Sequence, residues 1–219
     1  MTLRPEPDTS HADWFVDATS DWQQTATFGP AGFDAYVTIR FDLPESDSYR
    51  SDDSLMGQVV AVAAEHTHTP TDVFFGLWDG WGDLDDGARQ YSTARVNWIR
   101  DLWVNPSPPR ILPAFDDEVL SGPKINLYDA RHYLLFRGPA SNVGQWGANP
   151  IDVNTPRALA PASMTWPRDR TWFIAADVDQ EWMCVGGSTA LAEALLATFG
   201  TNAEPATFGQ VVPPKPVER

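Results

Sequence analysis

Five aspartates lie close together in a stretch of fifteen residues, 72–86, that contains no lysine or arginine. They are Asp72, Asp79, Asp83, Asp85 and Asp86. Grouped carboxylates can coordinate calcium, act as a general acid and base, or attract a basic protein partner. The calcium-loop spacing fails, because a loop that starts at Asp83 has Gly87 at the fifth position, where an oxygen ligand is required. If these aspartates bind no ligand, they simply belong to a solvated turn that follows a strand.

Ten tryptophans are many for a chain of 219 residues. Their rings can stack on ligands or anchor protein interfaces, although most are expected to fill the core. Trp78 and Trp172 lie in strand-like runs, whereas Trp81 and Trp146 lie in segments rich in glycine. We therefore predict a partner-binding site at Asp79, Trp81, Asp83, Asp85 and Asp86.

A second hypothesis concerns residues 138–168, a long stretch rich in proline and glycine with no clear periodicity. Long loops without structure are uncommon and are often functional. Arginines flank this stretch, and an anion site between strand ends would use them bidentately. The alternative is thus a small-molecule-binding protein or enzyme with a pocket under this loop, lined by Arg137, Trp146 and Arg170. In the other interpretation, Arg168 and Arg170 pair with Asp169, Asp177 or Asp179 and brace a hairpin.

Motifs for metals and cofactors are sparse. His66 and His68 have a spacing that could bind a metal, but zinc requires at least three protein ligands. Cys184 is the single cysteine and lies in an apolar run, which predicts a buried, inert thiol. The sequence contains no phosphate loop, dinucleotide fingerprint or nucleophile elbow. We predict no metal and no cofactor, assign no catalytic residue and favour a protein that is not an enzyme.

Periodicity locates the elements that must carry these residues. Alternation over 33–41 predicts a half-buried strand, and the apolar run 73–78 predicts a central strand. Strands are also expected at 131–137, 171–177 and 182–185, the last two as a hairpin. Helices are predicted from Ser51 to His66, and between a cap at Ser188 and a stop at Gly200. This order favours a single-domain α+β fold, with a mostly antiparallel sheet, a few packed helices and long loops rich in proline and glycine.

Charge and length exclude several function classes. Thirty acidic and fifteen basic residues give a formal net charge of -15, which repels nucleic acid and anionic membrane surfaces. No apolar run is long enough to span a membrane, and residues 1–30 lack a signal-peptide pattern, so we expect a cytoplasmic protein. We expect one domain over residues 1–204, with a loose lead-in over 1–10, and a flexible, proline-rich tail over 205–219.

The C-terminal third carries a resemblance. The segment Trp166-Pro167-Arg168-Asp169-Arg170-Thr171-Trp172, followed by an acidic strand and Val185-Gly186-Gly187-Ser188, resembles a family of actinobacterial proteins that have no assigned activity. The order of strand, hairpin and capped helix is also similar to that of SUKH-type immunity proteins. This second resemblance implies a late hairpin that leads into a C-terminal helix, and a function in binding another protein.

Taken with the acidic charge, these features favour a non-enzymatic, cytoplasmic, immunity-like module that binds a basic protein partner through an acidic surface.

Overall fold

The run of residues 73–78 is apolar without alternation because both faces of this strand are covered. The computed structural model describes residues 2–18, 21–41, 48–82, 84, 112–151 and 156–210. In it, Phe75 and Leu77 belong to one core cluster, and Phe74 belongs to a second cluster on the opposite face. Strands that are buried on both faces have continuous apolar sequences. The predicted strand at 73–78 is confirmed with the same bounds.

Nine strands of the described residues form one sheet in which every pairing is antiparallel. They are Arg4–Pro5 (β1), Ala35–Arg40 (β2), Val73–Trp78 (β3), Ile125–Leu127 (β4), Arg131–Gly138 (β5), Met164–Pro167 (β6), Phe173–Ala175 (β7), Trp182–Gly187 (β8) and Ala203–Ala206 (β9). Their order in the sheet is β1-β5-β3-β6-β7-β8-β2-β9, and β4 also pairs with β5. The predicted α+β fold with a mostly antiparallel sheet is confirmed.

Helices cover both faces of this sheet. The described residues form the α-helices Asp13–Val16 (α1), Trp22–Phe28 (α2), Ser48–Ala64 (α3), Asp117–Leu120 (α4) and Thr189–Phe199 (α5). Helices α3 and α5 pack against each other over the core that contains Phe75, while α1 and α2 bury Phe15 and Ala26 against the opposite face. None of the helices in the described ranges combines the length and the apolar character that crossing a bilayer requires.

The signals at the ends of α5 act as predicted. The hydroxyl of Ser188 accepts a hydrogen bond from the Leu191 N–H at 3.2 Å, which satisfies a backbone donor of the first turn. The helix ends at Gly200, whose φ of 54° lies in the left-handed region that glycine adopts without steric cost. Strand β2 differs from its prediction, because Tyr36, Val37, Thr38 and Ile39 are all buried rather than alternately exposed.

Two segments that the sequence predicts to lack structure contain strands. In the expected loose lead-in, residues 1–10, Arg4–Pro5 pairs with β5 and Leu3 is buried in the core. The long stretch 138–168 ends in β6, which lies between β3 and β7 near the middle of the sheet. This strand has only four residues and all of them are buried, so its sequence has no alternation to indicate a strand.

The predicted domain boundary at residue 204 falls inside a strand. Pro205 pairs with Val37 and Ala206 pairs with Tyr36 in the sheet. Phe208 then packs against Phe28 and Tyr36, with ring centroids 6.0 and 5.5 Å apart. The prediction of a flexible tail from residue 205 is therefore corrected for 205–208, and residues 211–219 lie outside the described residues.

Candidate partner-binding site

Several strand ends and turns meet at one end of the sheet, which we call the hairpin end and define as residues 79–81, 124–132 and 176–181. Antiparallel pairing brings these segments together, because β3 and β7 end where β5 begins. The backbone N–H of Asp79 donates to the carbonyl of His132 at 3.0 Å, which ties the first segment to the second. Side-chain contacts of Arg131 tie the second segment to the third.

The turn between β4 and β5 places a tyrosine at the tip of the hairpin end. Tyr128 and Asp129 have φ values of 52° and 57°, and the Ala130 N–H donates to the Leu127 carbonyl at 3.0 Å. Three residues thus separate the paired Leu127 and Arg131, and the two positive φ values favour asparagine and glycine at the centre of the turn. Asn126 stabilises this turn by exchanging two hydrogen bonds of 2.7 Å with Asp129. Tyr128 remains 46% exposed.

Arg131 lies at the centre of the hairpin end, between two indole rings. Its guanidinium carbon is 4.9 Å from the ring centroid of Trp78 and 5.2 Å from that of Trp22. An Nη2–Oδ2 distance of 2.5 Å pairs it with Asp179, and Asp177 lies further away at 3.7 Å. Cation–π contacts strengthen when the cation is shielded from water. This set of contacts fixes α2, β3, β5 and the turn after β7 relative to one another.

The two described residues of the predicted partner-binding site, Asp79 and Trp81, lie at the hairpin end. Asp79 is 2.8 Å from the Nζ of Lys124, in an ion pair. Trp81 is half-buried, packs against the core and meets Trp78 edge to face at 5.5 Å between ring centroids. It is therefore less accessible than an exposed anchor would be. The other three predicted residues, Asp83, Asp85 and Asp86, lie outside the described residues.

The charge of the hairpin end is acidic. Its sequence contains five carboxylates, those of Asp79, Asp129, Asp177, Asp179 and Glu181, against Lys124 and Arg131. These two basic side chains are engaged by Asp79 and Asp179. Asp129, Asp179 and Glu181 are exposed, whereas Asp177 is buried. Burial, with a further contribution from Asp177, raises the pKa of the neighbouring Tyr133 hydroxyl.

The alternative site under residues 138–168 is not assembled as one pocket. Arg137 lies over Phe74, on one face of the sheet, and Arg170 lies over Trp14 on that same face. Trp146 packs against Phe136 in the core of the opposite face, where its Nε1–H donates to the Ala160 carbonyl at 3.2 Å. Trp146 is thus separated from the two arginines by the sheet.

Arg137 forms a network with acidic residues at the other end of the sheet. Its Nε and Nη2 donate to the two carboxylate oxygens of Asp72 at 2.5 and 2.8 Å, and Nη1 lies 3.3 Å from Glu6. Hydrogen bonds from Arg137 lower the pKa of Asp72 below its ordinary value. The predicted pairing of Arg168 with Asp169, Asp177 or Asp179 is replaced by an ion pair with Asp72 at 3.3 Å. The guanidinium of Arg137, which Asp72 and Glu6 already engage, is therefore not available to a ligand.

The segment that contains His66 and His68 is hydrogen-bonded to the loop that contains Asp169. Asp169 accepts hydrogen bonds from the hydroxyl of Thr67 at 2.7 Å and from the backbone N–H of His68 at 2.8 Å. Partial burial acts to raise the pKa of Asp169, but these hydrogen bonds and those from Thr171 outweigh it, so that the pKa is lowered.

Within the described ranges, no group of three or more His, Cys, Asp or Glu side chains could hold a metal ion. The prediction that Cys184 is buried is confirmed, and burial raises the pKa of its thiol.

Sequence reasoning missed Tyr128 and the contacts of Arg131. The turn has neither glycine nor proline, so its signal is limited to Asn126 and Asp129. The partners of Arg131 lie 109 residues before it in Trp22 and 48 residues after it in Asp179, a separation that no local spacing can reveal.

Comparisons with protein-family models, curated protein sequences and solved structures gave no match to this chain, so the proposals below rest on its own residues.

Proposed function

We propose that the chain is a non-enzymatic, cytoplasmic protein that binds a basic protein partner through the hairpin end, in the manner of an immunity protein. The observation that carries the proposal is the distribution of charge at this end. Asp129, Asp179 and Glu181 face solvent, while the nearby basic side chains Lys124 and Arg131 are engaged within the chain. Exposed charge of one sign accelerates encounter with a partner of opposite sign and selects against like-charged proteins.

The rigidity of the hairpin end also supports this proposal. Arg131 is held between Trp22 and Trp78, and a side chain at Gly80 would collide with the Trp78 indole, so the loop after β3 packs closely on that ring. A surface that is already ordered loses little conformational entropy when a partner binds. Interfaces are enriched in aromatic residues, which this end of the sheet supplies.

The test uses protein fragments of the encoding organism, displayed on phage and selected on the immobilised wild-type chain. We expect the enriched fragments to be basic. In the triple variant Asp129→Asn, Asp179→Asn, Glu181→Gln, the association rate constant at low salt should fall about tenfold, since long-range attraction is lost. High salt should remove most of this difference, because it screens the field of exposed charges.

A matched control separates the local surface from the net charge. The triple variant Asp34→Asn, Glu65→Gln, Glu193→Gln removes the same number of exposed charges outside the hairpin end and should associate nearly as fast as wild type. Enrichment of neutral or acidic fragments would contradict the proposal. Equal losses in the two triple variants would show that net charge, rather than the hairpin end, is responsible.

A further inference from the structure

Tyr128 is an unusual residue at the tip of the hairpin end. Leu112 and Tyr128 are the exposed large apolar residues of the described ranges, and Tyr128 is 46% exposed. Its φ of 52° belongs to the left-handed region, which a residue with a bulky side chain seldom occupies. Asparagine or glycine would suit this backbone better. An aromatic ring is therefore exposed to solvent at a position where the backbone conformation favours a smaller residue.

The ring of Tyr128 is held in one orientation. Its hydroxyl donates to the carbonyl of Val16, at the end of α1, at 2.9 Å. The two hydrogen bonds between Asn126 and Asp129 fix the backbone that carries it. Aromatic side chains fixed in this way provide a large contact area at a low cost in conformational entropy, as tyrosines do in antibody loops.

Acidic residues border the tyrosine. Asp129 is the next residue of the turn, and Asp179 contacts Arg131, at the start of the following strand. A partner that accepts the ring must therefore also accept the neighbouring carboxylate of Asp129. Lysine or arginine beside an apolar pocket would meet both requirements by charge complementarity.

We propose that Tyr128 is the anchor of the interface at the hairpin end, and that the basic partner has an apolar pocket for the phenol ring with lysine or arginine at its rim. This inference rests on the proposed function. It goes further by assigning the rate of association and the rate of dissociation to different residues. The carboxylates govern the rate of association, and the buried ring governs the rate of dissociation.

The experiment measures dissociation of the displayed fragments that the wild-type chain selects. Tyr128→Asn and Tyr128→Gly remove the ring and leave a residue that suits the left-handed backbone, so these variants should melt no lower than wild type. We expect the dissociation rate constant to rise about thirtyfold or more, the usual size for an interface anchor. Tyr128→Phe keeps the ring and should lose much less, while Leu112→Ala, at an exposed apolar residue elsewhere, should change nothing.

The outcomes distinguish this inference from the proposed function. Basic fragments that bind Tyr128→Asn and Tyr128→Gly as tightly as wild type, yet associate slowly with the charge variant, would overturn the role of Tyr128 alone. The absence of basic fragments would overturn the proposed function and this inference together. A loss in Tyr128→Phe as large as that in Tyr128→Asn would also contradict it, because the hydroxyl and not the ring would then be essential.

Discussion

Gly187, the last residue of β8, shows how closely the final helix packs on the sheet. A Cβ at this position would lie 2.7 Å from Cδ2 of Leu191 and 3.3 Å from Cβ of Trp172. Leu191 can rotate away from a single methyl, but the branched side chain of valine would also press on the buried Trp172. The backbone of Gly187 thus forms part of the surface on which α5 begins.

We expect Gly187→Val to lower the free energy of unfolding by about 1–3 kcal/mol, because it overpacks this contact. A urea titration measures the change. Gly57 provides a control of opposite sign, since it lies inside α3 and a methyl group added there would have no neighbouring atom within 4 Å. Gly57→Ala should raise stability by about 0.5–1 kcal/mol. Equal stability of Gly187→Val and wild type would show that the helix shifts without cost.

Asp72 should make the stability of the protein sensitive to acid. Hydrogen bonds from Arg137 and Arg168 lower its pKa in the folded state. The stabilisation is therefore complete above the unfolded pKa, near 3.9, and is lost as the pH falls through the folded pKa. In Asp72→Asn this contribution is absent at every pH.

The difference in unfolding free energy between wild type and Asp72→Asn should consequently shrink as the pH is lowered from about 5 to about 2. Denaturant titrations across this range measure it. Asp169, whose pKa is also lowered, adds the same acid sensitivity to both proteins and does not affect the difference. A difference that stays constant with pH would mean that Arg137 does not distinguish the carboxylate from the amide.

At the scale of elements, β9 and the residues after it join the end of the described chain to its beginning. Strand β9 covers the outer edge of β2, and Phe208 packs against Phe28 of α2. A chain that ends at Glu204 loses half of this strand and the phenyl ring. We expect it to melt a few degrees below a chain that ends at Gln210, since each kcal/mol shifts the melting temperature of a protein this size by about 2–4 °C.

Calorimetry of the two truncated chains tests this expectation, and Phe208→Ala in the full chain separates the ring from the strand. Equal melting temperatures would show that residues 205–210 pack without stabilising the domain. Proline in β9 is consistent with its place at an edge, where one side of the strand needs no partner for a backbone N–H.

For the whole molecule, the sequence predicts the elements whose signals are local. The apolar run of β3, the serine cap and glycine end of α5 and the hairpin of β7 and β8 are confirmed because each depends on neighbouring residues. Strands β1 and β6 escape prediction, since they have only two and four residues, and β1 and one side of β6 pair with partners far away in the chain. The candidate site shows the same division. Composition indicates Asp79 and Trp81, but Tyr128 depends on a turn that has neither glycine nor proline.

The position of β2 between two late strands has a consequence for the order of synthesis. Its partners β8 and β9 lie about 140–170 residues further along the chain, at 182–187 and 203–206. While the chain leaves the ribosome, β2 must therefore remain without these neighbours until residues 182–206 have emerged. Pairings this distant form slowly, because a long loop must close before any contact compensates for the lost entropy. Val37 and Ile39 stay uncovered during that interval, which is when an unpaired strand edge is most prone to associate with another chain.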